Sequence, residues 1–178
     1  DSDKSTPSTT VVINNGSVRT VFGGGQEGAV NGNTTVSING GVIGAEALEG
    51  TPYGGVYGGG EGAKATVTGS TNVTINGGDN YNNVYGGGKG DAAHVSGKTH
   101  VQLLGGTVQG DIYGGGDAGV MPRMTDATNG HLDGQLAGQT IGTLCQIDGG
   151  EVRNVFGGGF KGNTDGNTHV TIGNKNAD

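Results

Sequence analysis

The chain has 178 residues, 43 of them glycine and 3 proline, with aromatic residues at 4%, charged residues at 14% and hydrophobic residues at 30%. Glycine costs a helix interior about 1 kcal/mol per residue relative to alanine, so an ordinary helical domain is excluded, and the scarcity of apolar residues excludes a thick-cored globule with it. The formal charge is −7, and the nine lysines and arginines stand singly, with no cluster that would neutralise a run of phosphates; nucleic acid is therefore not an expected partner.

Residues 1–8 read as an N-terminal tail and residues 9–178 as one domain. The first strand signal is Thr9-x-Val11-x-Ile13, a partial copy of a block that returns along the chain. Val18 and Val21-Phe22-Gly23-Gly24-Gly25 follow it. Val30-x-Gly32-x-Thr34 then runs into Thr34-x-Val36-x-Ile38-x-Gly40-Gly41, a period-two alternation that suits a strand and not a helix. The pattern breaks near 44–53, an insertion, and resumes with Val56-Tyr57-Gly58-Gly59-Gly60. The unit recurs from Val67 to Gly78 with Val84-Tyr85-Gly86-Gly87-Gly88, and from Val95 to Gly106 with Ile112-Tyr113-Gly114-Gly115-Gly116. A second insertion covers 117–139. Thr143-x-Cys145-x-Ile147-x-Gly149-Gly150, with cysteine in a valine slot, leads to Val155-Phe156-Gly157-Gly158-Gly159, and Thr168-x-Val170-x-Ile172 is another partial copy. An apolar or aromatic residue precedes the leading valine by three in four units, at Val18, Tyr53, Tyr81 and Val152, whereas in the remaining unit Gln109 holds that place and Val108 sits one earlier.

The leading threonines are spaced by 25, 37, 28, 44 and 25 residues, a unit of about 25 to 28 with two insertions. Short β-branched strands separated by glycine turns at a fixed period predict an all-β chain. The expected fold is a right-handed parallel β-helix (β-solenoid) of about five to six coils with two inserted loops, each coil pairing with those above and below. Three strands per coil, stacked at about 4.8 Å, make a rod on the order of 25 Å tall. Gly-Gly and Gly-Gly-Gly runs serve the corners, where positive φ or close backbone approach is needed. A bundle of polyglycine II helices is a poorer fit, because it requires glycine at every third residue throughout.

Stacked coils align equivalent residues in columns. Parity places Thr34, Thr71, Thr99, Thr143 and Thr168 inward or at a corner, and the outward residues beside them are too irregular for an ice-binding array. Phe22, Tyr57, Tyr85, Tyr113 and Phe156 form an aromatic column. An internal ring stack is the expectation; an outward strip lying against sugar rings is the alternative. The acidic residues, Asp79, Asp91, Asp111, Asp117, Asp148 and Asp165, fall at turns in different registers, so no catalytic pair emerges and the chain does not read as an enzyme. Cys145 reads as an inert core residue and, as the single cysteine, cannot form an intrachain disulfide. His100 and His169 share a column but are separated by the coil of Leu144, roughly 10 Å, too far for one metal. Calcium-binding nonapeptides are not matched in spacing, so no metal or cofactor is expected. The second insertion, with Arg123 and His131, reads as a side cap or a specificity loop. The ligand-binding candidates are thus Tyr57, Tyr85, Tyr113, Arg123 and His131.

No segment approaches the roughly 18 consecutive apolar residues of a membrane span, and no signal-like segment opens the chain, which reads as a mature or excised protein. The alternation of Thr-x-Val-x-Ile-x-Gly-Gly with Val-Tyr-Gly-Gly-Gly over residues 9–172 resembles the glycine-rich repeats of bacterial surface and adhesin-like proteins, including autotransporter passenger-like β-helices. That resemblance implies a secreted or surface-displayed, non-enzymatic module that is structural and adhesive. It would bind a host, cell-surface or glycan ligand or assemble end to end, the partial coils leaving strand edges for other chains to pair with. A carbohydrate-binding or carbohydrate-cleaving β-helix is the alternative reading, and ice binding the remote one.

Overall fold

The computed structural model describes residues 7–44, 54–118, 141–162, 164 and 166–173. In chain order the strands are β1 (Thr9–Ile13), β2 (Ser17–Val18), β3 (Thr20–Phe22), β4 (Thr34–Ile38), β5 (Val42–Ile43), β6 (Gly55–Tyr57), β7 (Thr71–Ile75), β8 (Asp79–Asn80), β9 (Val84–Tyr85), β10 (Thr99–Leu103), β11 (Thr107–Tyr113), β12 (Ile141–Ile147), β13 (Glu151–Phe156) and β14 (Asn167–Ile172). The described residues contain no helix, and their strands form parallel sheets that do not close into a barrel. This arrangement is consistent with a β-solenoid. Most of the two expected insertions, near 44–53 and 117–139, lies outside the described residues.

One sheet has six strands in the order β1-β4-β7-β10-β12-β14, all parallel. The register aligns the threonines Thr9, Thr34, Thr71, Thr99, Thr143 and Thr168, so each repeat pairs with the next at equivalent residues. Every second residue faces inward, and Val36, Ile38, Val73, Ile75, Val101, Leu103 and Cys145 are buried in one aliphatic core. The second sheet is a pair of short ladders, β2-β5-β8 and β3-β6-β9, joined because the long β11 continues both, and β13 pairs with β11. It contributes Val21, Val56, Val84 and Ile112 to the same core. A third side is closed by parallel bridges from Val30 to Val67 and from Val67 to Val95, three valines with a small core of their own.

Two differences from the sequence reading concern the second sheet. The column led by Val18 continues through Ile43, Asn80, Val108 and Val152, and Tyr81 does not occupy it; Tyr53 lies outside the described residues. A constant offset of three fails there because Asn80 and Val108 precede Val84 and Ile112 by four residues, and the insertion separates β5 from β6. The displaced Val108 is a β-bulge: Val108 and Ile112 pair with Val152 and Val155, and the extra residue of β11 is taken up between Val108 and Asp111.

The Gly-Gly-Gly runs owe their first glycine to close approach. A Cβ on Gly58 would lie 2.3 Å from the Gly86 carbonyl, and one on Gly86 would lie 2.3 Å from that of Gly114. Those carbonyls face the threonine column: Thr34, Thr71 and Thr99 donate their hydroxyls to the carbonyls of Gly58, Gly86 and Gly114, and Thr9 and Thr143 do the same to Gly23 and Gly157. Thr34, Thr71, Thr99 and Thr143 are therefore buried inward corner residues, as parity requires, whereas Thr168, expected in the same column, is exposed because no further repeat covers it among the described residues. On the outer surface, Asn76 Nδ2 donates to Asn39 Oδ1 and Asn39 Nδ2 to Asn14 Oδ1, both at 2.8 Å, an amide ladder of the kind that stacked strands permit.

Candidate functional site

Val56 and Tyr57 are neighbours on one strand and must face opposite ways. Because the valines of this column fill the aliphatic core, the aromatic residues are left with the outer face of the second sheet, where they form a separate cluster. The rings of Phe22, Tyr57, Tyr85, Tyr113 and Phe156 stack in order, with centroids 4.9, 4.7, 5.1 and 4.9 Å apart and planes within 16° of parallel. The stack is buried at its three tyrosines, as expected of an internal column, yet it belongs to a second layer outside the aliphatic one. Ring faces cover ring faces, so the tyrosines offer no flat platform for a sugar. Phe160 is different: it packs at 5.5 Å and 58° against Tyr113 and stays exposed, with the Lys161 ammonium 4.9 Å from its ring centre.

Polar columns flank the rings. On one side Asn83 Nδ2 donates to the Tyr85 hydroxyl at 2.9 Å, and Asn83 Oδ1 accepts from the Asp111 backbone N–H at 2.9 Å. Asp111 then accepts from Arg153 Nε and Nη2 at 2.8 and 3.1 Å, from Asn154 Nδ2 at 2.9 Å and from the Tyr113 hydroxyl at 3.3 Å. The Arg153 hydrogen bond is the main reason that its carboxyl sits below the ordinary value. Asp111 had been read as a turn residue; it lies within β11, since the bulge lets the strand run on through it. On the other side the first residue after four of the five glycine runs forms a polar column: Gln26 Nε2 donates to Glu61 at 3.4 Å, Lys89 pairs with Glu61 at 2.8 Å, and Asp117 follows. Burial holds the Asp117 carboxyl above its ordinary value, against the pull of Lys89 and Lys161. Burial likewise raises the phenols of Tyr57, Tyr85 and Tyr113.

Between these columns lies a groove of about 730 Å³. Arg19, Thr20, Asn82 and Asn83 line one side, Phe22, Tyr57 and Tyr85 the ring column, and Glu61, Lys89, Asp117 and Phe160 the other side. Gly54 belongs to the lining as well. It stands in the column of Arg19 and Asn82 at φ +101°, and a Cβ there would lie 1.8 Å from the Arg19 carbonyl, so the recess opens where a side chain is forbidden. Asn82 is buried, and its Nδ2 has no hydrogen-bond partner.

Of the sequence candidates, Tyr57 and Tyr85 line the groove, and Tyr113 stands in the same stack with its hydroxyl tied to Asp111. Arg123 and His131 lie outside the described residues. Sequence reading missed Arg19, Asn82, Asn83, Glu61, Lys89, Asp117 and Phe160. A signal existed for part of this set, because the residue after the glycine run is Gln26, Glu61, Lys89 or Asp117 in four of five copies. Elsewhere, Leu144 stands between His100 and His169 in the register. Cys145 is fully buried and its thiol is pushed up to about 12 by burial, which suppresses the reactive thiolate. Among the described residues no three His, Cys, Asp or Glu side chains gather as a metal site, and no helix is long and apolar enough to cross a membrane.

No protein-family model matches the chain, and no match was found among curated proteins or solved structures.

Proposed function

We propose that this chain is a non-enzymatic, right-handed β-solenoid of five to six coils that serves as a structural and adhesive module outside the cell, in the manner of glycine-rich bacterial surface proteins. The groove beside the aromatic stack carries this reading. The inward positions are occupied by Thr, Val and Ile columns that hold coil to coil, so chemistry toward a partner is left to the outer columns, and there aromatic, amide and charged side chains converge on one recess. Glu61 in its lining is engaged by Lys89 and Asp111 beside it by Arg153, while Asp117 lies in the field of Lys89 and Lys161. That suits holding a ligand better than moving protons, which calls for a carboxyl pair with separated roles.

A glycan array combined with a sugar-release assay tests the proposal. Retention of one glycan class with no release of reducing sugar is the expected outcome. Release of sugar would favour a carbohydrate-cleaving β-helix, and retention of nothing would remove the glycan arm and leave a protein ligand or self-assembly.

A further inference from the structure

We propose that the groove is the binding subsite for a neutral sugar unit of a glycan, an inference that rests on the adhesive reading above and names its ligand class. The recess is of the size that takes a small ligand. It is set by backbone geometry, since Gly54 cannot be replaced by a residue that would fill it.

Charge selects against ionic ligands. Two cations, Arg19 and Lys89, meet two carboxylates, Glu61 and Asp117, so the lining has no net charge. Lys89 is already bound to Glu61, and the whole chain carries −7, which repels an acidic saccharide before it arrives. What the lining offers is hydrogen bonding in planar groups. Asn83 and Arg19 bring donors, and Asn83 and the two carboxylates bring acceptors.

Apolar contact comes from the ends of the lining and not from its middle. The tyrosine faces are covered by one another, whereas Phe160 is tilted away from the stack and exposed, and the stack ends on Phe22, whose ring contacts only Tyr57 among the stacked rings. A pyranose ring, with an apolar C–H face and a rim of hydroxyls, matches an exposed aromatic ring beside planar amides and carboxylates.

The test is titration of the isotope-labelled full chain with three hexasaccharides, cellohexaose and mannohexaose as neutral probes and hexagalacturonate as the acidic one, followed by amide resonances. One of the neutral probes is expected to shift the signals of Asn82, Asn83 and Lys89, and hexagalacturonate to shift none of them. Phe160→Ala removes a partly exposed ring and is expected to weaken the neutral probe roughly tenfold in a chain that stays folded, as its dispersed amide spectrum would show. The double variant Glu61→Gln, Asp117→Asn gives the groove two net positive charges and is expected to admit hexagalacturonate. Neutral binding that shifts other resonances, or that ignores Phe160→Ala, overturns the subsite and leaves the adhesive reading intact. Binding of hexagalacturonate to the unaltered chain overturns the neutral class. Silence from all three probes overturns the inference, while the adhesive reading is judged separately on the array.

Discussion

At the scale of single residues, threonine and glycine hold neighbouring repeats through one shared contact. Thr71 donates its hydroxyl to the carbonyl of Gly86, both groups buried, so Thr71→Val keeps the shape and strands an acceptor. A loss of about 1–3 kcal/mol is expected in chemical denaturation. Gly86→Ala is worse, because its Cβ would lie 2.3 Å from a backbone oxygen of the next repeat and neither side has room to move. That variant should lose about 3 kcal/mol or more, and a wild-type melting curve would mean that the spacing between repeats is wrong. Two aspartates give opposite pH signs. The folded-state value of Asp111 is depressed, so its stabilisation is complete above the unfolded value of about 3.9 and disappears as pH falls through the folded one. Asp117 is raised, so the fold disfavours its charged form and that cost sets in as pH rises past the unfolded value. At pH 7 Asp111→Asn is expected to lower the melting temperature and Asp117→Asn to raise it. The same sign for both would refute the assignment.

At the scale of elements, the aromatic stack is a second layer laid over the second sheet. Its contribution is carried by ring area and not by hydroxyls, since the phenol of Tyr85 contacts Asn83 at a partly exposed side chain. Tyr85→Phe should therefore change stability by less than about 1 kcal/mol, and Tyr85→Ala should cost about 3 kcal/mol by opening a gap between Tyr57 and Tyr113. Equal effects would show that the hydroxyl network, and not the stack, does the holding. The same burial makes a pH signature. Because the folded-state phenols of Tyr57, Tyr85 and Tyr113 are raised, their stabilisation is complete below the unfolded value of about 10 and is lost as pH climbs above it. In an ultraviolet titration, phenolate absorption from these three is expected to appear late and together with alkaline unfolding.

At the scale of the whole molecule, stability is approximately a sum over neighbouring repeats, and the weak places are where a repeat lacks a neighbour. Ile172 and Val170 are exposed on β14 at 72% and 38%, although their column partners in the interior strands are buried, and Phe156 is exposed at the end of the ring stack. Among the described residues nothing pairs with the far side of β1 or β14. Parallel edges with apolar side chains recruit other strands. Light scattering over a wide concentration range is expected to register end-to-end growth or a dimer, more at high salt because screening relieves the repulsion of a chain at −7. Ile172→Lys should suppress it. A strict monomer at all concentrations and salts would end the proposal of homo-association.

The sequence by itself determined the all-β character, the main sheet and its register. Thr-x-Val-x-Ile is a period-two pattern whose copies are nearly identical, and in a parallel stack identical residues find each other at equivalent positions, as the six aligned threonines do. Parity alone also placed Cys145 in the core and the threonines at its corner. Only the tertiary structure decided the second sheet, because there an insertion separates β5 from β6 and an extra residue stands before β9 and within β11, so a fixed offset put Tyr81 where Asn80 stands. It also decided which member of each Val-aromatic pair faces in, a choice that local alternation leaves open and that packing against Val36, Val73 and Val101 resolves. The groove was legible only in part. Tyr57 and Tyr85 stood out as aromatic repeats, but Arg19, Asn82, Glu61 and Phe160 come together from four repeats, at distances set by the lateral packing of columns, which no spacing along the chain encodes.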